Sequence, residues 1–257
     1  MKIYFLFLNY FILKRKHFDY YIKNYLYTIL MNENHKIKIL VIRFKNPLQR
    51  KEIAYFRGAV IHAIEDKNTD ILFHNHTEKQ FRYSYPLIQY KRINKKAAIV
   101  CIQEGTEAIG QLFSSCNFTF DIGKQKTEME VESMIANQPP LQVWDSKFKY
   151  RLRNWLPLSQ ESYQKYKMLN GLIEKVQFLE HILTGNMLSF AKGVGIYFDK
   201  QITCRILHME EPTSSVYKEV KMLSFDLEFE SNVSLPDFIG LGKGSSIGYG
   251  IVTRKRD

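Results

Sequence analysis

The sequence predicts an α+β fold in two domains, the first of them ferredoxin-like. The chain of 257 residues is long enough for two small domains, each with a core of its own. In the first half, the segments follow the order strand, helix, strands, helix, which is the order of a ferredoxin-like unit. After a polar connector with Pro139 and Pro140, the second half opens with two helices and continues with strands. We therefore expect domains at 36–138 and 139–257.

Short apolar runs define the elements of the first half. The run IKILVIRF at 37–44 is rich in β-branched residues and is followed by Asn46 and Pro47, which is typical of a strand. A helix is predicted over 48–66 because apolar residues recur there at helical spacing. These residues are Ile53, Phe56, Val60, Ala63 and Ile64. Further extended segments are predicted at 71–76, 81–93 and 97–102, and a second helix at 104–113.

The second half begins with a helical pattern that starts at Ser159 and ends at Gly185 or Gly193. Asn170 and Gly171 predict a break that divides it into two helices. Alternating apolar and polar residues then predict strands over 196–209 and 220–230, and YGIV forms a last short strand. The halves share no clear sequence repeat, so the pattern alone leaves the fold of the second half open.

The charge of the chain favours a polyanionic partner, since its formal net charge is +11 and its pI is near 9.4. The segment KFKYRLRNW at 147–155 alternates cations with aromatic residues. Such a segment stacks RNA bases while neutralising phosphates, or it is an amphipathic edge strand, and the pattern favours neither. The aromatic residues in question are Phe148, Tyr150 and Trp155.

The cysteines indicate a reducing compartment. Cys101, Cys116 and Cys204 lie far apart and form no CxxC pair, which argues against a zinc ribbon or a disulfide framework. We expect a cytoplasmic protein.

Residues 1–35 are predicted to be an extension outside the first domain. Their apolar run from Ile3 to Leu13 is too short to span a bilayer, and lysine and arginine follow it instead of a cleavage site. We favour an over-extended gene start, because Met31 directly precedes the first strand, over a helix on a membrane surface. No membrane partner is expected.

A glycine-rich segment, GLGKGSSIGYG at 240–250, precedes the last strand. It is not a P-loop, because Lys243 is followed by Gly244 instead of serine or threonine. A dinucleotide loop must open a βαβ unit of about 30 residues, and only nine residues follow Gly248. The segment is then a set of tight turns or a loop that binds a polyanion through its amides and polar side chains. The candidate RNA-binding residues are Gly240, Gly242, Lys243, Gly244, Ser245, Ser246, Gly248 and Gly250.

Histidines supply the candidate chemistry, because an imidazole exchanges a proton near neutral pH. On a helical wheel, His62 lies about 150° from the centre of the apolar face of its helix, so it is either a surface histidine without a function or one available for chemistry. Gly58 lies one turn before it and clears space beside it. His74 and His76 form an HxH pair on an extended segment, but no further ligand motif accompanies them, so we predict no metal and no cofactor.

Taken together, the segment GLGKGSSIGYG, the opening strand and helix with FRGAVIHAI, and the basic chain resemble a known family over about residues 36–257. It comprises the CRISPR-associated endoribonucleases that cut pre-crRNA at its repeats, the sixth family of Cas proteins, and the chain looks most like the b subgroup, within the RAMP superfamily. The resemblance implies two tandem ferredoxin-like (RRM-type) domains that bind CRISPR repeat RNA in a basic cleft. Other CRISPR interference proteins and a second copy of the chain are further candidate partners.

The resemblance also implies metal-independent cleavage, in which the ribose 2′-OH attacks the adjacent phosphorus and leaves a 2′,3′-cyclic phosphate. The family's histidine carries over to His62 or His74, and we assign both as catalytic, with His76 as the alternative second histidine. Lys192 and Tyr249 are the weaker candidates for a lysine or tyrosine that completes the site. Two other functions remain open: a non-catalytic RNA-binding subunit, and a metal-dependent hydrolase that uses His74 and His76.

Overall fold

Two antiparallel sheets and one short hairpin make up the β structure of the computed structural model, which describes residues 35–64, 85–115 and 117–256. The chain divides into two compact units, and Ile37–Asp257 is the second of them. The predictions for residues 1–34 and for the segment at 71–76 lie outside the described residues.

The first sheet has the strand order β2-β3-β1-β6, with the first strand of the chain between the third and the last, as in a ferredoxin-like unit. The predicted strands at 37–44 and 97–102 and the helix within 48–66 are confirmed, and the helix at 104–113 is divided into two short ones. The elements are β1 (Ile39–Pro47), a 3-10 turn (Arg50–Glu52), α1 (Ile53–His62), β2 (Ile88–Ile93), β3 (Lys96–Ile102), α2 (Gly105–Ala108), α3 (Gly110–Ser115), the hairpin β4 (Thr119–Ile122) and β5 (Gln125–Glu128), and β6 (Val131–Asn137).

The second sheet has the order β11-β7-β10-β8, with β9 paired to β10. Without β9, the first strand of this half, β7, lies between the last strand, β11, and the third, β10. The first sheet has the same order, so the second half is also ferredoxin-like. A loop with a single 3-10 turn stands where the second helix of such a unit would lie. The elements are β7 (Val143–Trp155), α4 (Gln160–Met168), α5 (Leu172–Gly193), β8 (Cys204–Met209), β9 (Thr213–Tyr217), β10 (Val220–Val233), a 3-10 turn (Ser245–Ile247) and β11 (Ile251–Arg254).

The two helices of the second half begin and end where the sequence predicts. The Ser159 hydroxyl accepts a hydrogen bond from the Ser162 amide at 3.1 Å and so caps the N-terminus of α4. The helical structure is interrupted around Asn170 and Gly171, and the second helix, α5, ends at Gly193. Helix α5 then packs its buried face against the core of the second half.

Each face of the first sheet is buried against a different core. Ile42 on β1 and Ile99 on β3 point toward α1, whereas Val41 and Val100 point into the core of the second half. This division follows from the two-residue period of a strand. The second half thus completes its core with side chains of the first sheet.

Several strands differ from the predictions. Strand β7 lies between β11 and β10, so the alternative interpretation of 147–155 as an edge strand is wrong. The strand predicted at 196–209 begins only at Cys204, and β9 and the strands after α3 were not predicted. Strand β6 escapes detection because it is an edge strand whose residues are largely exposed, which removes the apolar alternation.

Candidate functional site

The segment Gly240–Gly250, called the glycine loop below, connects the end of β10 to β11 and lies against β2 of the first sheet. Gly240, Ser245, Gly248 and Gly250 are buried, whereas Lys243 is exposed. Gly242, Gly244 and Ser246 are partly exposed. The candidate residues therefore divide into an inner set that holds the loop and an outer set that faces solvent.

Polar side chains of the first half clamp the inner part of the loop. The Gln89 side-chain carbonyl accepts a hydrogen bond from the Gly240 amide at 3.0 Å, and the Tyr85 hydroxyl donates to the Gly240 carbonyl at 2.7 Å. The Lys91 ammonium donates to the Ser245 carbonyl at 2.8 Å. Lys91 is 0% exposed, and burial lowers its pKa to about 7. The loop is thus fixed to the first sheet at two backbone positions.

Close packing explains why two positions of the loop are glycine. Gly250 has φ 62°, and a Cβ there would overlap the Leu241 carbonyl oxygen. Gly244 has φ 69°, and a Cβ there would lie 2.7 Å from the ring of Tyr249. Both positions need a left-handed backbone without a side chain, so the glycines shape the loop itself.

The outer part of the loop presents a cationic surface. Lys243 is exposed, and its amide donates to the Leu156 carbonyl at 3.3 Å, which ties its backbone to the end of β7. Burial raises the pKa of the nearby Tyr249, and the Arg50 guanidinium opposes that rise. Arg50 is exposed and precedes α1, so cations from both halves lie near the loop.

His62 is the last residue of α1 and is exposed, as the helical wheel predicted. Among the residues that the structure describes, none has an atom within 4 Å of a Cβ added at Gly58, beside His62. The loop meets the other end of this helix, because a Cβ on Gly248 would contact Ile53. At 1.5 Å per residue, His62 lies about 14 Å further along the helix axis. His74 and His76 lie outside the described residues.

Lys192 and Tyr249, the weaker candidates, lie in different settings. Lys192 is exposed in the last turn of α5. The Tyr249 hydroxyl donates to the Val216 carbonyl at 3.0 Å, and its ring meets that of Tyr217 edge to face. Tyr249 therefore joins the glycine loop to the β9–β10 hairpin.

The aromatic residues of 147–155 do not form a stacking platform. Tyr150 and Trp155 are fully buried in the core of the second half, and Arg254 covers the ring of Phe148. On the outer face of this sheet, Lys147 pairs with Glu230 at 2.8 Å and Lys255 with Glu228 at 2.7 Å. The base-stacking interpretation is therefore wrong for the two buried rings, and acidic partners neutralise part of the charge on this face.

Within the described ranges, no group of three or more histidine, cysteine or carboxylate residues is placed to hold a metal ion. No helix in this part of the chain is both long and apolar enough to cross a bilayer.

The side chains of Gln89 and Lys91, which hydrogen-bond to the glycine loop, were not found from the sequence. Gln89 and Lys91 alternate with the buried Ile88 and Tyr90 on β2, and such alternation ordinarily indicates a solvent-facing side. Lysine in particular is almost never fully buried without a partner. In the structure, the glycine loop covers this polar side.

Family models and solved structures agree with this architecture. Models of the Cas6b N-terminal domain and the Cas6b C-terminal domain match residues 35–139 and 142–255. An uncharacterized protein of Methanocaldococcus jannaschii is 32% identical over 113 residues, which are 44% of this chain and 76% of that protein. A crystal structure of Cas6b is similar with a TM-score of 0.78 at 24% identity, and covers 86% of this chain and 100% of its own.

A crystal structure of a CRISPR RNA processing endoribonuclease, Cas6b, has a TM-score of 0.66 at 23% identity, with the same coverage. The fold and the glycine loop thus define a protein of two tandem ferredoxin-like domains whose last connection is a glycine-rich loop. With both family models matched along nearly all of the described residues, the chain belongs to the Cas6b family.

Proposed function

We propose that this protein is an endoribonuclease that cleaves CRISPR repeat RNA without a metal ion. The ribose 2′-OH attacks the adjacent phosphorus, and the products carry a 2′,3′-cyclic phosphate and a 5′-OH. Membership of the Cas6b family over both halves is the observation that carries this proposal. The exposed His62 and the cationic outer face of the glycine loop support it.

His62 and His74 are the proposed acid and base. One imidazole removes the proton of the 2′-OH, and the other protonates the departing 5′-oxygen, so the two begin in opposite protonation states. His74 follows His62 by only 12 residues in the chain. His76 is the alternative partner of His62.

The glycine loop is proposed to bind the RNA backbone away from the reacting phosphate. Lys243 supplies the charge, and the partly exposed Gly244, which has no side chain, lets a phosphate approach closely. Ser246 is also partly exposed and offers its hydroxyl. The loop contacts α1 at Ile53, about 14 Å along the axis from His62. We therefore assign the loop to binding and the histidines to proton transfer.

Single-turnover cleavage of a labelled repeat RNA tests the catalytic assignment. His62→Ala and His74→Ala should each slow cleavage by at least about 10²-fold, which is the lower range for a lost acid or base. Their effects should not add fully in the double variant, because the two groups act in one step. His181→Ala, at an exposed histidine of α5, is the matched control and should cleave normally. Cleavage should persist in EDTA, and the 5′ fragment should end in a cyclic phosphate.

Other outcomes would point to other functions. A 3′-OH end would show that the 2′-OH is not the nucleophile, and loss of activity in EDTA would favour a metal-dependent hydrolase. If His76→Ala abolishes cleavage while His74→Ala does not, the second histidine is His76. An RNA that is bound but not cut by the unaltered chain would favour a non-catalytic RNA-binding subunit.

A further inference from the structure

A cleft of about 680 Å³ lies between the β9–β10 hairpin and the start of α4. Its volume is within the range of pockets that hold small ligands. Lys243 of the glycine loop forms part of its lining. The cleft therefore adjoins the surface to which RNA binding is assigned above, although none of its other residues was a candidate in the sequence.

The lining combines apolar surface with positive charge. Tyr163 of α4 is 37% exposed and Val220 of β10 is 59% exposed, and both line the cleft. Lys218 and Lys221 join Lys243 in its lining, and none of the described residues that line it is a carboxylate. An anionic ligand with a flat, apolar part matches this composition.

Local structure holds the walls in place. The hairpin turns through two residues, Lys218 and Glu219, with φ of 49° and 65°, the geometry of the tight turns that join paired strands. Tyr217, just before this turn, packs edge to face on Tyr249 with ring centroids 5.8 Å apart. On the other side, the cap at Ser159 fixes the first turn of α4. The cleft is thus preformed and does not need the ligand to shape it.

We propose that this cleft holds one unpaired nucleobase of the bound RNA, with the flanking phosphates on its three lysines. The inference rests on the proposed function, since it assumes an RNA substrate. Proteins that bind single-stranded RNA splay bases out and stack them on aromatic rings. Tyr163 supplies such a ring, and the exposed side chains of Gln160 and Ser214 supply hydrogen-bonding groups for the base edge.

The experiment compares the binding of RNA with and without bases. Fluorescein-labelled 12-nucleotide oligouridylate and oligoadenylate, and an abasic oligomer of the same length, are titrated with the full chain and followed by anisotropy. Tyr163→Ala should weaken binding of a base-bearing oligomer by about 5- to 150-fold, the value of one stacked base. It should change binding of the abasic oligomer less than about twofold, because only the phosphates remain as ligands.

Two variants control for other causes. Tyr163→Phe keeps the flat ring and should bind as the unaltered chain does. Tyr197→Ala removes a tyrosine that is 71% exposed and is not part of the cleft, and it should also bind normally. Thermal melting confirms that each variant is folded; Tyr163 lies on the solvent side of α4, where alanine favours the helix.

The results separate this inference from the proposed function. If the unaltered chain binds neither base-bearing oligomer, the inference fails, and cleavage of the labelled repeat RNA decides the proposed function separately. If it binds RNA and Tyr163→Ala changes nothing, the cleft is not a base site, while the proposed function stands. Equal losses for base-bearing and abasic oligomers would also overturn the inference, because the ring would then act on the backbone or on the fold.

Discussion

The Lys91 side chain is buried between β2 and the glycine loop. Replacing it with methionine tests whether its amine is neutral in the folded protein. The side chain is 0% exposed, and its Nζ donates a hydrogen bond to the Ser245 carbonyl. Burial favours the neutral amine and lowers the pKa from 10.5 to about 7. Methionine keeps a long, flexible side chain there but removes the ionisable group.

The direction of the pH effect follows from the protons bound in each state. Between about pH 7 and 10.5, the unfolded chain keeps the Lys91 proton while the folded chain has lost it. The unfolded state then binds more protons, so the free energy of unfolding rises with pH in this window, by up to about 1.4 kcal/mol per pH unit. From pH 7 to 9, this single group should add about 2 kcal/mol.

Urea unfolding of both chains at pH 7, 8 and 9 measures the effect. The difference in unfolding free energy between the unaltered chain and Lys91→Met should shift by about 2 kcal/mol in favour of the unaltered chain over this range. Lys126→Met, at an exposed lysine of β5, is the control and should show no such shift. A constant difference for Lys91→Met would refute the reasoning, because it would mean that the folded state holds this amine charged at its ordinary pKa.

Two further predictions concern the glycine loop. Lys243→Ala should weaken RNA binding and lower the steepness of log affinity against log salt by about 0.7, the value for one lost phosphate contact on a single strand. Titrations at several KCl concentrations measure this slope. An unchanged slope would mean that the loop is a structural turn. Gly250→Ala should lower the free energy of unfolding by at least about 1–3 kcal/mol, since its φ is 62° and a Cβ would overlap the Leu241 carbonyl. Gly185→Ala, in the middle of α5, where no described residue lies within 4 Å of the added Cβ, should instead stabilise the fold by about 0.5–1 kcal/mol. A similar melting temperature for the two variants would contradict the packing of the loop.

The order of elements was predictable from local patterns. The β-branched run at 37–44, the helical spacing of Ile53, Phe56 and Val60, and the cap at Ser159 all depend on neighbours in sequence, and each is found as expected. These signals are strong because each of them reflects a single apolar face or a single helix end.

The sequence did not predict which distant segments pack on strands β7 and β2. Tyr150 and Trp155 have the composition of an RNA-binding strand, yet they are buried because strands pair with β7 on both sides and α5 covers its inner face. Gln89 and Lys91 have the alternation of a solvent-facing strand, yet a loop from about 150 residues further along the chain covers them. No pattern within a strand reveals which distant segment will lie on it.

The first sheet, buried on both faces, bears on whether either half is an autonomous folding unit. A fragment that ended at the connector would expose the face with Val41 and Val100 to water, and a fragment that began there would lose the surface on which its glycine loop rests. The chain has two ferredoxin-like halves, but neither half would be expected to keep its full folding free energy without the other. A hinge motion between the halves would likewise have to open a shared apolar core, so RNA is expected to meet a rigid body and not two arms that close around it.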